Sequence, residues 1–169
     1  LIAREDMPSK AEFQGEGYVE LQRMKGTPYG MTREMITSPL GVPCSEPPWG
    51  TLASVDLSSG DIDWQVPLGG LRTLSPIPIP WGLGVPTIGG PLATGGGLVF
   101  IGAALENRFR AFDSETGELL WGAATPHAPI ATPMTYRVGG RQYVVVGATG
   151  YERAGLPPGD VFIAYALPD

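Results

Sequence analysis

The stretch Ala111-Phe-Asp-Ser-Glu-Thr-Gly-Glu-Leu-Leu-Trp121 decides the reading of this chain, because its pattern occurs twice. The earlier copy is Ser54-Val-Asp-Leu-Ser-Ser-Gly-Asp-Ile-Asp-Trp64. The pairs Asp56 and Asp113, Gly60 and Gly117, and Trp64 and Trp121 each stand 57 residues apart. A fixed offset of that kind marks a repeat architecture. Ser54–Leu57 and Phe109–Phe112 are β-rich and read as strands. The Asp side chain accepts from turn amides, and the Gly supplies a positive φ. Each copy is therefore predicted to be a hairpin that delivers a tryptophan from its second strand. A tryptophan recurring once per hairpin needs a recurring slot. Radially stacked four-stranded blades provide one between neighbouring sheets.

Composition narrows the alternatives. The 169 residues suffice for one domain with a real core, and 43% of them are hydrophobic. Gly (25) and Pro (18) together make up about a quarter of the chain, and they punctuate short apolar runs, as in an all-β protein with many turns. The net charge is −6, and Lys10 and Lys25 are the only lysines, so there is no basic footprint for nucleic acid. No run is long and apolar enough to span a bilayer. The lone Cys44 excludes an internal disulfide and a multi-cysteine metal site. The opening residues Leu1-Ile-Ala-Arg-Glu-Asp6 have neither an initiator Met nor a signal-peptide shape, and read as the middle of something longer.

Working outward from the repeat, residues 1–48 read as an irregular, loop-rich lead-in with one possible strand, Tyr18–Met24. Thr37–Pro48 reads as a long proline-rich loop. Residues 49–169 read as blades. Between the two repeat copies, Leu74–Pro86 carries too much Pro and Gly for a central strand. One four-strand unit then follows: Pro91–Thr94, a turn at Gly95–Gly97, Leu98–Ala104 as a strand buried on both faces, Arg108–Asp113 and Leu119–Ala124. A further unit holds Thr132–Val138, a Gly139-Gly140 hairpin turn, Arg141–Ala148 and Asp160–Leu167. It lacks a fourth strand. A ring that takes the missing strand from the other end of the polypeptide leaves no exposed edge.

Here a family resemblance enters. Ala111 to Trp121 resembles the tryptophan-docking motif of quinoprotein dehydrogenases, Ala-x-Asp-x-x-Thr-Gly-x-x-x-Trp, at every fixed position; the first copy departs only at Ser54 and Ser59. Longer stretches narrow the match. They include Ser38-Pro-Leu-Gly-Val-Pro-Cys-Ser-Glu-Pro-Pro-Trp-Gly50, Gly84–Gly102, Thr132–Tyr136, Arg141–Val145 and Gly159–Pro168. These are similar to the C-terminal part of membrane-bound glucose dehydrogenase and its quinate dehydrogenase relatives. The resemblance runs from about Tyr18 to the end.

The resemblance implies an all-β partial β-propeller: the last two and a half to three four-stranded blades of an eight-bladed ring. It implies a periplasmic enzyme, anchored through an N-terminal membrane domain, that oxidises a sugar or cyclic polyol and passes electrons to ubiquinone. Pyrroloquinoline quinone would lie near the propeller axis with Ca²⁺ or Mg²⁺. The family's catalytic Asp, metal ligands and cofactor-contacting Lys and Asn belong to blades outside this chain. The chain alone is therefore expected to be inactive, to hold no metal or quinone, and to self-associate in place of its missing N-terminal blades.

The resemblance also assigns candidate residues. Ile88-Gly89-Gly90 stands where methanol-oxidising relatives carry the Trp-Gly-Gly that touches the quinone. Two glycines let backbone approach a flat ligand, or simply make a bend into a crowded inner strand. Trp49, after two prolines, is a second candidate wall or else a core tryptophan. Tyr151 occupies the substrate-side His position of the glucose enzymes, which puts glucose itself in doubt. Glu106 stands where relatives usually carry Asp.

Other tempting features read as ordinary. His127 is the only histidine and reads as a solvated loop residue. Asp61 and Asp63 read as water-facing, with no paired acid and base. Gly95–Gly97 lacks the Lys-Ser/Thr of a phosphate cradle. Met24, Met31 and Met35 show no helical spacing. The rival class is a non-enzymatic propeller scaffold of the outer-membrane assembly lipoprotein type. Such a scaffold would share the Asp-Gly-Trp hairpins but is not expected to share Pro47-Pro-Trp-Gly50 or the Gly84-Val-Pro-x-x-Gly-Gly-Pro91 run.

Overall fold

The computed structural model describes residues 2–7, 19–34, 36–39, 42–70 and 82–168. Among these there is no α-helix, and no helix is long and apolar enough to cross a membrane. Among the described residues twelve strands form four antiparallel sheets. In chain order they are β1 (Ile2–Ala3), β2 (Val19–Arg23), β3 (Tyr29–Glu34), β4 (Thr51–Val55), β5 (Ile62–Pro67) and β6 (Leu92–Ala93). They continue with β7 (Leu98–Ile101), β8 (Arg108–Asp113), β9 (Leu119–Ala124), β10 (Met134–Val138), β11 (Arg141–Ala148) and β12 (Val161–Tyr165). The sheets are β1-β3-β2, β4-β5, β6-β7-β8-β9 and β10-β11-β12. The last three amount to half a blade, a whole blade and three strands of another.

The two repeat copies fold alike down to their irregularities. In each turn the Asp main chain bonds across the loop and its carboxylate gathers the amides. Asp56 Oδ1 accepts from Ser58 N at 2.7 Å and Ser58 Oγ at 2.6 Å. Asp113 Oδ1 accepts from the amides of Glu115 and Thr116, both at 2.9 Å, and from Thr116 Oγ1 at 3.0 Å. These bonds favour the ionised form. The Ser58 hydroxyl and amide hold Asp56 below its ordinary value, and the Thr116 and Glu115 amides do the same for Asp113. Gly60 and Gly117 close the turns at φ +81° and +72°. Each hairpin also carries a β-bulge in the same place, which leaves Ser54 opposite Trp64 and Ala111 opposite Trp121. The small residue of the pattern is thus the cross-strand neighbour of the tryptophan.

The second, third and fourth sheets stack face to face. Between the second and third sheets lie Leu52, Leu68, Val85, Val99, Ile101 and Phe112, with Trp64 and Val66 packed against them. Between the third and fourth lie Phe109, Val144 and Val146, flanked by Leu92, Phe100 and Tyr165. The Phe109 and Tyr165 rings stack with centroids 5.5 Å apart. Phe109 is fully buried, which contributes on the order of 2–3 kcal/mol. Strand β8 therefore serves both interfaces, sending Phe112 one way and Phe109 the other.

Several boundaries differ from expectation. Among its described residues the lead-in holds three strands rather than one: β1 and β3 pair with each other, and β2 pairs with β3. The signal was weak because Tyr29–Glu34 has no apolar alternation. Its register is set by pairing and by Met7, which lies over Gly30. Tyr18 falls outside the described residues. The first repeat strand ends at Val55, since Asp56 and Leu57 already belong to the turn. The run Leu98–Ala104 is a strand only to Ile101, and Leu98 and Phe100 are half-buried. At Gly102 the chain leaves the ladder, where a Cβ would lie 2.2 Å from the Pro129 carbonyl. Of Leu74–Pro86, residues 74–81 lie outside the described residues, as do Lys10 and Met35.

Candidate functional site

Strand direction sorts the loops onto two ends. The tight turns 56–61, 94–97, 113–118 and 139–140 occupy one end of the stacked sheets. The long connections 82–91, 102–107, 125–133 and 149–160 occupy the other. Trp49, Ile88, Gly89, Gly90, Glu106 and Tyr151 all lie at this second end. Sequence position alone did not show that they share a face.

The connections at that end interlock through backbone bonds. Ile88 N donates to Ala103 O at 2.8 Å, and Gly150 N to Ala128 O at 3.0 Å. Gly90 N donates to Thr132 Oγ1 at 3.1 Å. Gly89, at φ +109°, backs onto the 125–133 connection so closely that a Cβ would sit 2.1 Å from Ile130 O. Its other side is exposed, and Ile88 beside it is 37% exposed. The glycine pair is a tight inter-sheet bend that also leaves a strip of backbone facing outward.

Trp49 is half-buried and packs against the Leu52, Leu68 and Val85 core. Its Nε1 donates to Ser45 O at 2.8 Å and its amide to Leu83 O at 2.9 Å. The preceding Pro47-Pro48 bond is cis. Tyr151 is half-buried against Leu105, Ala128 and Leu156, beside Ile130 and Ala154. Its carbonyl accepts from the amides of Ala154 and Leu156, so the loop after β11 folds back on it. His127 is half-buried rather than solvated, because its ring covers Gly159, where a Cβ would lie 2.4 Å from two ring carbons. Asp61 and Asp63 are exposed, and Asp63 accepts from Ser54 Oγ at 3.2 Å.

Glu106 is 4% exposed and pairs with the equally buried Arg110 of β8. The contact runs from Arg110 Nη2 to Glu106 Oε1, while Arg110 Nη1 is buried and, among the described residues, has no hydrogen-bond partner. Leaving one member of such a pair alone typically costs about 3–5 kcal/mol. Glu106 Oε1 lies 3.3 Å from where a Cβ of Gly69 would stand. The sequence showed the carboxylate but not its partner, since a four-residue spacing carries no meaning outside a helix. A cavity of about 270 Å³ opens between β5 and β8, lined by Val66, Pro67, Gly69, Arg110 and Phe112 among others. None of the candidate residues, Glu106 included, borders it. Among the described residues no three His, Cys, Asp or Glu side chains converge as a metal site.

The fold has counterparts among known proteins. Residues 1–144 match the family model "PQQ: Glucose/ethanol/alcohol dehydrogenase, beta-propeller domain". The chain is 40% identical over 153 residues to the quinoprotein glucose dehydrogenase of Escherichia coli, covering 88% of this chain and 19% of that protein. It is 47% identical over 150 residues to the quinate/shikimate dehydrogenase (quinone) of Acinetobacter baylyi, covering 85% of this chain and 18% of that one. A quinohemoprotein alcohol dehydrogenase structure from Pseudomonas putida HK5 aligns with a TM-score of 0.55 at 25% identity, covering 85% of this chain and 22% of that one. The chain thus spans about a fifth of the length of the curated relatives it matches. With the stacked antiparallel sheets and the repeated hairpin, these matches place the chain in the PQQ glucose/ethanol/alcohol dehydrogenase β-propeller family.

Proposed function

We propose that this chain forms closing blades of a complete quinoprotein dehydrogenase that oxidises a sugar or cyclic polyol. The observation that carries the reading is the convergence of Trp49, Ile88–Gly90, Glu106 and Tyr151 on one end of the sheets, within a chain whose relatives include glucose and quinate/shikimate dehydrogenases. In this reading residues 1–48 lead into blades that run from 49 to 169. The tryptophan docking seen at Trp64 recurs around an eight-bladed ring.

Pyrroloquinoline quinone, when bound, supplies the two-electron acceptor for alcohol oxidation. The described residues fit one wall of its site. Ile88 offers an exposed apolar edge, and Gly89 an outward backbone strip with no side chain. The Gly90 amide is already committed to Thr132, so it holds the wall in place rather than donating to a ligand. Tyr151 narrows the substrate side from the neighbouring connection. The metal, Ca²⁺ or Mg²⁺, and the general base belong to blades beyond this chain. We further propose a periplasmic, membrane-anchored protein with ubiquinone as electron acceptor.

The experiment is reconstitution of the complete polypeptide with the quinone and Ca²⁺ or Mg²⁺, followed by dye reduction across a panel of sugars, polyols and cyclic hydroxy acids. Turnover of at least one of them is expected. No turnover with any would favour a partner-binding scaffold.

A further inference from the structure

The connection 102–107 touches both candidate walls. Its Ala103 carbonyl takes the Ile88 amide, and Ala104 pairs with Thr87 in an isolated bridge. Its Leu105 belongs to the cluster against which Tyr151 leans. Its Glu106 turns back beneath Gly69 and meets Arg110 on β8, the strand buried on both sides. The ion pair thus fastens the connection to a strand whose Phe109–Phe112 are all buried.

We propose that Arg110 is a positioning residue. By holding Glu106 it sets the height of the 102–107 connection, and with it the spacing between Ile88–Gly90 and Tyr151. The inference rests on the dehydrogenase reading for its consequence in turnover, but not for the clamp itself. Two observations support it. First, Glu106 has little room to choose another place. Gly69 stands over it at φ +90°, and among the described residues Arg110 is the side chain that pairs with it. Second, the pair is an inefficient way to fill a core. Among the described residues Arg110 Nη1 is buried without an acceptor, a cost that an apolar pair of similar volume would avoid. A retained cost of this kind points to a role beyond stability.

The test uses the complete polypeptide in four forms: native, Arg110→Met, Arg110→Lys, and the double variant Glu106→Gln/Arg110→Met. Melting and amide hydrogen exchange are measured without cofactor, and KM and kcat after reconstitution. Arg110→Met is expected to melt earlier and to exchange faster at 102–107 than in the 113–118 turn. Arg110→Lys should recover part of both. The double variant removes the stranded charge, so melting should return close to native. Its exchange at 102–107 should nevertheless stay fast, and its KM should stay raised by about tenfold with kcat less affected. Return of exchange and KM to native in the double variant would show a purely structural pair and overturn the proposal. Unchanged exchange in Arg110→Met would overturn it too. If the native polypeptide turns over no substrate, the dehydrogenase reading fails on its own, and the exchange comparison still decides whether Arg110 holds the connection.

Discussion

Trp64 lies over Gly117. A Cβ at residue 117 would stand 2.5 Å from Trp64 Cε3, and the indole Nε1 donates to Ser114 O at 3.0 Å. The tryptophan of one hairpin is thus seated on the turn of the next, and the glycine serves both the turn and the seat. Among the described residues the glycine of the earlier copy has no such neighbour, with nothing within 4 Å of the equivalent point on Gly60. This pair of sites separates the two roles. Gly60→Ala should cost about 1 kcal/mol, for the positive φ alone. Gly117→Ala adds a clash with the ring and should cost about 3 kcal/mol. Denaturant unfolding of the two variants measures the difference, and equal losses would mean that Trp64 is not seated there.

Acid should loosen the second turn. Hydrogen bonds from Thr116 and Glu115 hold Asp113 below its ordinary value of 3.8. A depressed carboxyl stabilises the fold above the unfolded value, and that stability is lost as pH falls through the folded value. Melting temperature should therefore fall as pH drops below about 4. Asp113→Asn should flatten that part of the profile and melt lower at neutral pH. An unchanged acid limb in the variant would assign the loss to other carboxylates.

Ile88→Ala probes the proposed quinone wall. Residue 88 is partly exposed and outside the core clusters, so melting should change by no more than about 1 kcal/mol equivalent. Affinity of the complete apoprotein for the quinone should weaken several-fold. Unaltered affinity would leave the Ile88-Gly89-Gly90 segment as an inter-sheet bend only.

Tyr151→His tests the substrate side. The side chain is half-buried in a small cluster, so the replacement should be tolerated. Ratios of kcat/KM among a sugar, a linear polyol and a cyclic hydroxy acid should shift by about tenfold. Uniform scaling across the panel would show that residue 151 does not face the substrate.

The 169-residue chain by itself should self-associate. Phe162 on the edge strand β12 is 78% exposed, Trp121 is 40% exposed, and the seat over Gly60 is open. Sedimentation velocity should show a concentration-dependent rise in mass. A clean monomer at high concentration would count against the open faces being sticky.

The strand pattern was legible wherever local chemistry was decisive. Arg108–Asp113, Leu119–Ala124 and Arg141–Ala148 stand at the residues that alternation and turn signals marked. The Asp-to-Gly turn followed from two side chains whose preferences do not depend on distant contacts. Tyr29–Glu34 was missed because its pairing, not its own pattern, makes it a strand. His127 was misread because its cover is Gly159, 32 residues away.

By itself the sequence determined the hairpin, its repeat and the family, because turn chemistry, periodicity and motif spacing are local properties of the chain. Only the tertiary structure decided what each feature faces. It set Trp64 on Gly117, brought Trp49, Ile88–Gly90, Glu106 and Tyr151 to one end, and gave Glu106 its partner in Arg110. These relations depend on how consecutive sheets stack. Stacking joins residues from different hairpins through close packing and buried charge, and no single stretch of sequence carries that information.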